Sequence, residues 1–302
     1  MRRRFYAAFL ALFCVFGAVG CAPAQGTQPE NHRSLAESIA NYDEVVSAIR
    51  AGLREYSSRI TVRFSCEENI LDELSELTNE WVEAALQETD NPREGDYIRY
   101  QYGGYESVSR YEAENGSFAY TVEIVPDYYL YFVQEQEVTA RLAEVYEELA
   151  LSETASDEEK ISAIYRYVCT HVQYDEIHRK NPYYHMKSTA YAALVNHRAT
   201  CQGYCVLLYR MLRENGVDCR VVTGIGVDDD GEQLHAWNIV KLDGRWYNLD
   251  ATWDAGGEEW RYFLRGAEGF ENHTPGEAFA TEQFLNTYPI AENDYAFLEN
   301  YA

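Results

Sequence analysis

Cys201, His235 and Asp250 could together attack a carbonyl carbon. A thiol is an intrinsically strong nucleophile once a base takes its proton, and the base works best when a third group orients it. Cys201 follows Thr200, a residue type that caps helices. Tyr204, Leu207, Leu208, Met211 and Leu212 then recur at helical spacing until Gly216. This spacing predicts a helix that begins at Cys201 and turns the cysteine toward the body of the protein. The macrodipole and unpaired N–H groups of a helix N-terminus favour a thiolate. The backbone N–H of Cys201 can also support an oxyanion. No second donor for that oxyanion declares itself.

The other two residues flank a turn. Leu234 to Leu242 and Arg245 to Asp250 are rich in strand-forming residues, and Asp243-Gly244 lies between them. Asp-Gly between two such runs predicts a two-residue hairpin loop. Pairing Leu242 with Arg245 puts His235 opposite Thr252 and Trp237 opposite Asp250. Side chains alternate along a strand, so His235 and Asp250 are expected on one face as diagonal neighbours, roughly 7–8 Å apart at the backbone. An imidazole spans that gap, and the carboxylate would set its tautomer. Asp254 shares the parity but falls past the expected strand end, and ranks second. The sulfur and the imidazole are expected on the same side of the sheet. Taken singly, the cysteine reads as a core residue, the histidine as a half-buried one and the aspartate as a cap. Their combination, a cysteine helix followed by a His/Asp hairpin, points to chemistry.

Upstream elements are legible in outline. Leu35, Ile39, Tyr42, Val46, Ile49 and Leu53 have helix spacing, and Ile60, Val62 and Phe64 alternate as in a strand. Ile70, Leu74, Leu77, Trp81 and Ala85 predict a second helix, barred from continuing by Pro92. Two tyrosine-rich runs flank Asn115-Gly116, a hairpin signal. The tyrosines fit a half-buried sheet, with a carbohydrate-binding surface as the alternative. Residues 134–150 read as an acidic amphipathic helix. Ser156-Asp157-Glu158-Glu159 reads as a capping box that opens a helix running to Val172.

Thr200-Cys201-Gln202-Gly203-Tyr204, His235-Ala236-Trp237-Asn238 and Trp246-Tyr247-Asn248-Leu249-Asp250-Ala251-Thr252-Trp253-Asp254 resemble the bacterial transglutaminase-like superfamily. So do Ile164 to Val168, Val172 to Asp175, and Tyr262-Phe263-Leu264 followed by His273. The resemblance covers residues 155–275 approximately. It implies an α+β fold, a papain/transglutaminase-like core in which the nucleophile helix packs on an antiparallel sheet. It implies a Cys-His-Asp triad, which falls on Cys201, His235 and Asp250, and it brings His273 near the site without a role. The superfamily includes transglutaminases, cysteine peptidases and amidases, so the fold leaves the reaction open.

The ends and the composition bound the rest. Arg2 to Arg4 precede an apolar run from Phe5 to Val19, and Ala18-Val19-Gly20-Cys21 resembles a lipoprotein processing site. Residues 1–20 therefore read as a signal peptide. Cys21 reads as the lipidated residue, and 21–34 as a tether. Residues 35–150 read as an N-terminal α+β region and 151–302 as the catalytic domain. An ordinary cleaved signal is the alternative.

The formal charge of −25 becomes more negative once those arginines are removed. That excludes nucleic acid as a partner and leaves the lipid as the only membrane contact. Outside the signal and Cys21, five cysteines remain: Cys66, Cys169, Cys201, Cys205 and Cys219. Cys205 and Cys219 read as core residues, with a disulfide between them as the alternative. No cysteine or histidine spacing calls for a metal, and no cofactor is implied. Asp228 to Glu232 lacks a full calcium-loop pattern and reads as a solvated loop.

The expected function is extracytoplasmic, cysteine-dependent acyl transfer on peptide or protein amides through a thioester. Hydrolysis is favoured over crosslinking. The alternative is an inactive surface domain that binds peptides or wall polymers.

Overall fold

A computed structural model describes residues 41–114, 116–229, 231–257 and 260–296. The expected signal peptide, Cys21, the tether and the start of the first helix at Leu35 lie outside the described residues. The described chain is α+β, and it divides into two compact units.

One unit runs up to Thr89 and includes Tyr102–Tyr128. Helix α1 (Tyr42–Arg54) buries Val46, Ile49 and Leu53. Strand β1 (Ile60–Cys66) follows, then α2 (Leu74–Ala85), which buries Leu77, Trp81 and Ala85. Strands β2 (Tyr102–Glu114) and β3 (Ser117–Tyr128) close a hairpin with Glu114 paired to Ser117. The three strands form an antiparallel sheet in the order β1-β3-β2. Phe64 stacks on Tyr120, its cross-strand partner, with ring centroids 5.2 Å apart. Tyr120 is therefore a core residue of a packed sheet.

The other unit joins Asp90–Gln101 to the chain from Tyr129 onward. It thus takes in α3 (Phe132–Leu149), which the sequence reading groups with the N-terminal region. Two buried acids explain this. Glu135 of α3 meets Arg210 Nη1 at 2.9 Å. Asp96 accepts from Arg220 Nε and from the Val221 N–H, each at 2.8 Å. Helix α4 (Asp157–His171) begins with the expected reciprocal cap: Ser156 N–H donates to Glu159, and Glu159 N–H to the Ser156 hydroxyl.

Strand β4 (Gln173–Tyr174) pairs in parallel with β5 (Arg198–Ala199), which leads directly into α5 (Cys201–Glu214). Every residue of α5 from Gly203 to Leu212 is buried, not only the expected stripe. A helix covered on all sides belongs inside the molecule. α5 shares one core with Leu142 and Val145 of α3, Ile164 and Val168 of α4, and residues of a second sheet.

That sheet contains β6 (Cys219–Asp228), β7 (Gly231–Leu242), β8 (Arg245–Leu249) and β9 (His273–Pro275). The order is β8-β7-β6-β9, antiparallel throughout. Asp243 and Gly244 both have positive φ, at 51° and 77°, as the tight hairpin requires. The register runs from Leu242↔Arg245 to Asn238↔Leu249, as expected, and stops there. No disulfide joins Cys205 and Cys219, and both are buried core residues, as expected. Asn238 Nδ2 instead donates to the Cys205 carbonyl at 3.1 Å. Among the described residues, no helix is long and apolar enough to cross a membrane.

Candidate active site

Cys201 is the first residue of α5 and is half-buried. Thr200 occupies the cap position, but its side chain does not cap. Its hydroxyl and its N–H both turn to the Lys187 carbonyl, at 3.3 and 2.9 Å. Thr200 therefore leaves the first N–H groups of α5 uncapped, and Cys201 contributes one of them. Gly203 is needed here: a Cβ would lie 2.6 Å from the Ala199 Cβ and 3.0 Å from the Lys187 carbonyl oxygen. The missing side chain lets the segment before Cys201 lie against the helix tip. Tyr174 of β4 pairs with Ala199, two residues before Cys201. Burial pushes its phenol up, and the charge of Cys201 adds to this, so it stays protonated.

His235 Nε2 meets Asp250 Oδ2 at 2.7 Å, and both residues are buried. The route differs from the one expected. β8 ends at Leu249, so Trp237 and Asp250 do not pair. His235 pairs with Gly224 of β6 instead. Asp250 caps the short helix α6 (Ala251–Asp254), its Oδ1 accepting from Thr252 and Trp253 N–H at 2.9 and 3.2 Å.

The side-chain direction is also corrected. Ala236 and Val240 join the core around α5, whereas Trp237 and Ile239 join a separate cluster. Alternation along β7 puts His235 on the face of Trp237, away from the body of α5. The imidazole nevertheless reaches Cys201, whose hydrogen bond and charge both act on it. β8 stops opposite Asn238, so β7 has no β8 partner at His235. With Nε2 on Asp250, Nδ1 is left for the sulfur.

Gly226 makes room for the ring, since a Cβ there would lie 3.0 Å from the His235 Cβ and 2.9 Å from the Trp253 ring. The Trp253 ring stacks on His235 at 4.7 Å and 19°.

Burial alone would depress the imidazole. The Asp250 carboxylate, with help from Cys201, outweighs it and lifts His235 to about 10. Burial alone would raise the Asp250 carboxyl, but His235 and His273 hold it down at about 2.

Asp254 is not an alternative partner. It accepts from Tyr165 Oη at 2.7 Å and from the N–H groups of Arg261 and Tyr262. His273 does enter the site, with Nε2 3.1 Å from Asp250 Oδ2. Tyr174, Gly226 and Trp253 were missed as site residues, because each acquires its place only through tertiary packing.

His235, Asp250 and His273 bring three potential metal-ligand atoms within 4.8 Å of one another. Contacts of 2.7 and 3.1 Å are hydrogen-bond lengths. Donors sharing a tetrahedral zinc, each at roughly 2.0–2.1 Å from it, would stand farther apart. The group is a hydrogen-bonded chain.

Residues 144–251, which include Cys201, His235 and Asp250, match the model of the transglutaminase-like superfamily. This segment is a transglutaminase-like domain. The mouse Kyphoscoliosis peptidase is 37% identical over 115 residues, covering 35% of this chain and 17% of the relative. The human Kyphoscoliosis peptidase is 35% identical over 135 residues, covering 41% and 20%. The chain thus spans at most a fifth of the length of these curated relatives. A solved structure described as a TGase aligns at 18% identity with a TM-score of 0.37, covering 72% of this chain and 56% of that one.

Proposed function

We propose that this chain is a cysteine enzyme that cleaves peptide or protein amide bonds through a thioester. It works outside the cytoplasm, held to the membrane by a lipid on Cys21. One observation carries the chemistry: a buried Asp250–His235 pair acts together with a half-buried Cys201 at an uncapped helix N-terminus.

In the proposed reaction the Cys201 sulfur attacks the amide carbon while its proton is already held by His235 Nδ1. The Cys201 N–H supports the oxyanion. Its neighbour Gln202 is engaged elsewhere, donating to the Tyr100 carbonyl. The C–N bond breaks as His235 protonates the leaving amine. Water then attacks the thioester, giving its proton to His235, and the acid and free thiol are released. The peptidase names of both relatives favour water over a lysine amine as acceptor. The formal charge of −25 favours neutral or basic substrates.

The test incubates the chain lacking its signal with a peptide mixture and a labelled primary amine. Cleavage is the expected result. Incorporation of the amine would move the assignment to crosslinking, and neither outcome in any mixture would overturn the enzyme reading. Cys201→Ala should abolish labelling by a thiol-directed amide probe. Labelling that survives would remove Cys201 as the nucleophile.

A further inference from the structure

Asp250 has a partner that the three-residue reading does not use. His273 opens β9 and pairs with Gly226 of β6. Its side chain is fully buried. Its ring stacks on Phe270 at 3.9 Å and lies 4.3 Å from the Trp253 ring, with Trp237 and Tyr262 edge-on at 5.1 and 5.4 Å.

Two polar contacts fix the ring. Nδ1 meets the Glu271 carbonyl at 2.8 Å, and Nε2 meets Asp250 Oδ2 at 3.1 Å. Both partners are acceptors when Asp250 is ionised, so a ring that satisfies both carries a proton on each nitrogen.

A carboxylate offers about four lone-pair positions. Asp250 Oδ1 takes the N–H groups of Thr252 and Trp253, and Oδ2 takes His235 and His273. The carboxylate is saturated, and its plane is set from both sides. We propose that His273 is a positioning residue: it supplies the last donor that fixes the Asp250 carboxylate from which His235 hangs. It also offsets the Asp250 charge, so that the carboxylate's pull on His235 is shared. The titratable groups facing it are Asp250 from the end of β8, His235 from β7 and Tyr262 from the preceding segment. Glu271 contributes its carbonyl.

The proposal rests on the acyl-transfer reading, and the experiment separates the two. His273→Phe keeps a ring in the aromatic box and removes both donors. His273→Gln keeps a donor for Asp250 but never a charge. Two measurements are made on the chain lacking its signal: kcat and KM for amide cleavage, and the pH dependence of Cys201 alkylation by iodoacetamide, which needs no acyl substrate.

His273→Phe is expected to lower kcat by about 10- to 100-fold at nearly constant KM, as a misplaced base would. His273→Gln should recover most of that loss. In both variants the basic limb of the alkylation profile should move to higher pH, because Asp250 then acts on His235 alone. A His273→Phe variant with wild-type kcat and profile would overturn the proposal. So would equal losses in both variants with unmoved profiles, which would mark a purely structural role. If His273→Phe does not fold, the His273→Gln profile decides alone. A wild-type chain that cleaves nothing overturns the acyl-transfer reading, while the alkylation profiles still report on His273.

Discussion

Asp250 both caps a helix and holds an imidazole, and the two roles use different oxygens. Asp250→Asn can keep the cap through its remaining oxygen. Its amide would then face His235 Nε2 and favour the tautomer with the proton on Nδ1, where it cannot accept from sulfur. We expect kcat to fall about 10⁴-fold, as for an aspartate-to-asparagine change in a serine triad, with an unchanged circular dichroism spectrum.

The same pair shapes stability against pH. His235 is raised from 6.5 to about 10, so its contribution is complete below 6.5 and lost as pH rises through about 10. Asp250 is lowered from 3.8 to about 2, so its contribution is present above 3.8 and lost as pH falls through about 2. Urea midpoints measured across pH should therefore be flattest between about 4 and 6.5, and Asp250→Asn should weaken both limbs.

At the scale of elements, α5 matters because it is buried on every side and still carries a charge. Arg210 is 1% exposed, holds Glu135 and Glu214, and lies over the Tyr97 ring at 4.8 Å. Removing one partner of a buried pair strands the other. Arg210→Met should cost about 3–5 kcal/mol in chemical denaturation, and adding Glu135→Met should recover much of it.

The hairpin register was legible because Asp243-Gly244 allows few turn geometries. The capping box was legible because its partners are three residues apart. Neither the burial of the back of α5 nor the length of β8 has a local signal. Periodicity marks an apolar stripe; it does not say how many layers surround it.

At the scale of the molecule, the two compact units are not consecutive stretches of chain, since residues 90–101 belong with the later unit and 102–128 with the earlier. Composition could not reveal this. The segment is held by Asp96, whose partners Arg220 and Val221 lie more than a hundred positions downstream. The proposed anchor is a property of the whole chain and is separable from the chemistry. Cys21→Ser should move the protein from the detergent phase to the aqueous phase and remove the lipid mass from its N-terminus. Its cleavage of soluble peptides should be unchanged.

The sequence by itself determined the α+β class, the helix beginning at Cys201, the hairpin about Asp243-Gly244 and the strand holding His235. These follow from spacing and turn chemistry over a few residues, where local sterics dominate. Only the tertiary structure decided how the three side chains meet. Alternation alone would turn His235 away from α5. The missing side chains of Gly203 and Gly226 and the return of His273 from β9 bring the imidazole, the sulfur and the shared carboxylate together. Those contacts depend on where distant backbones approach one another, which no local pattern encodes.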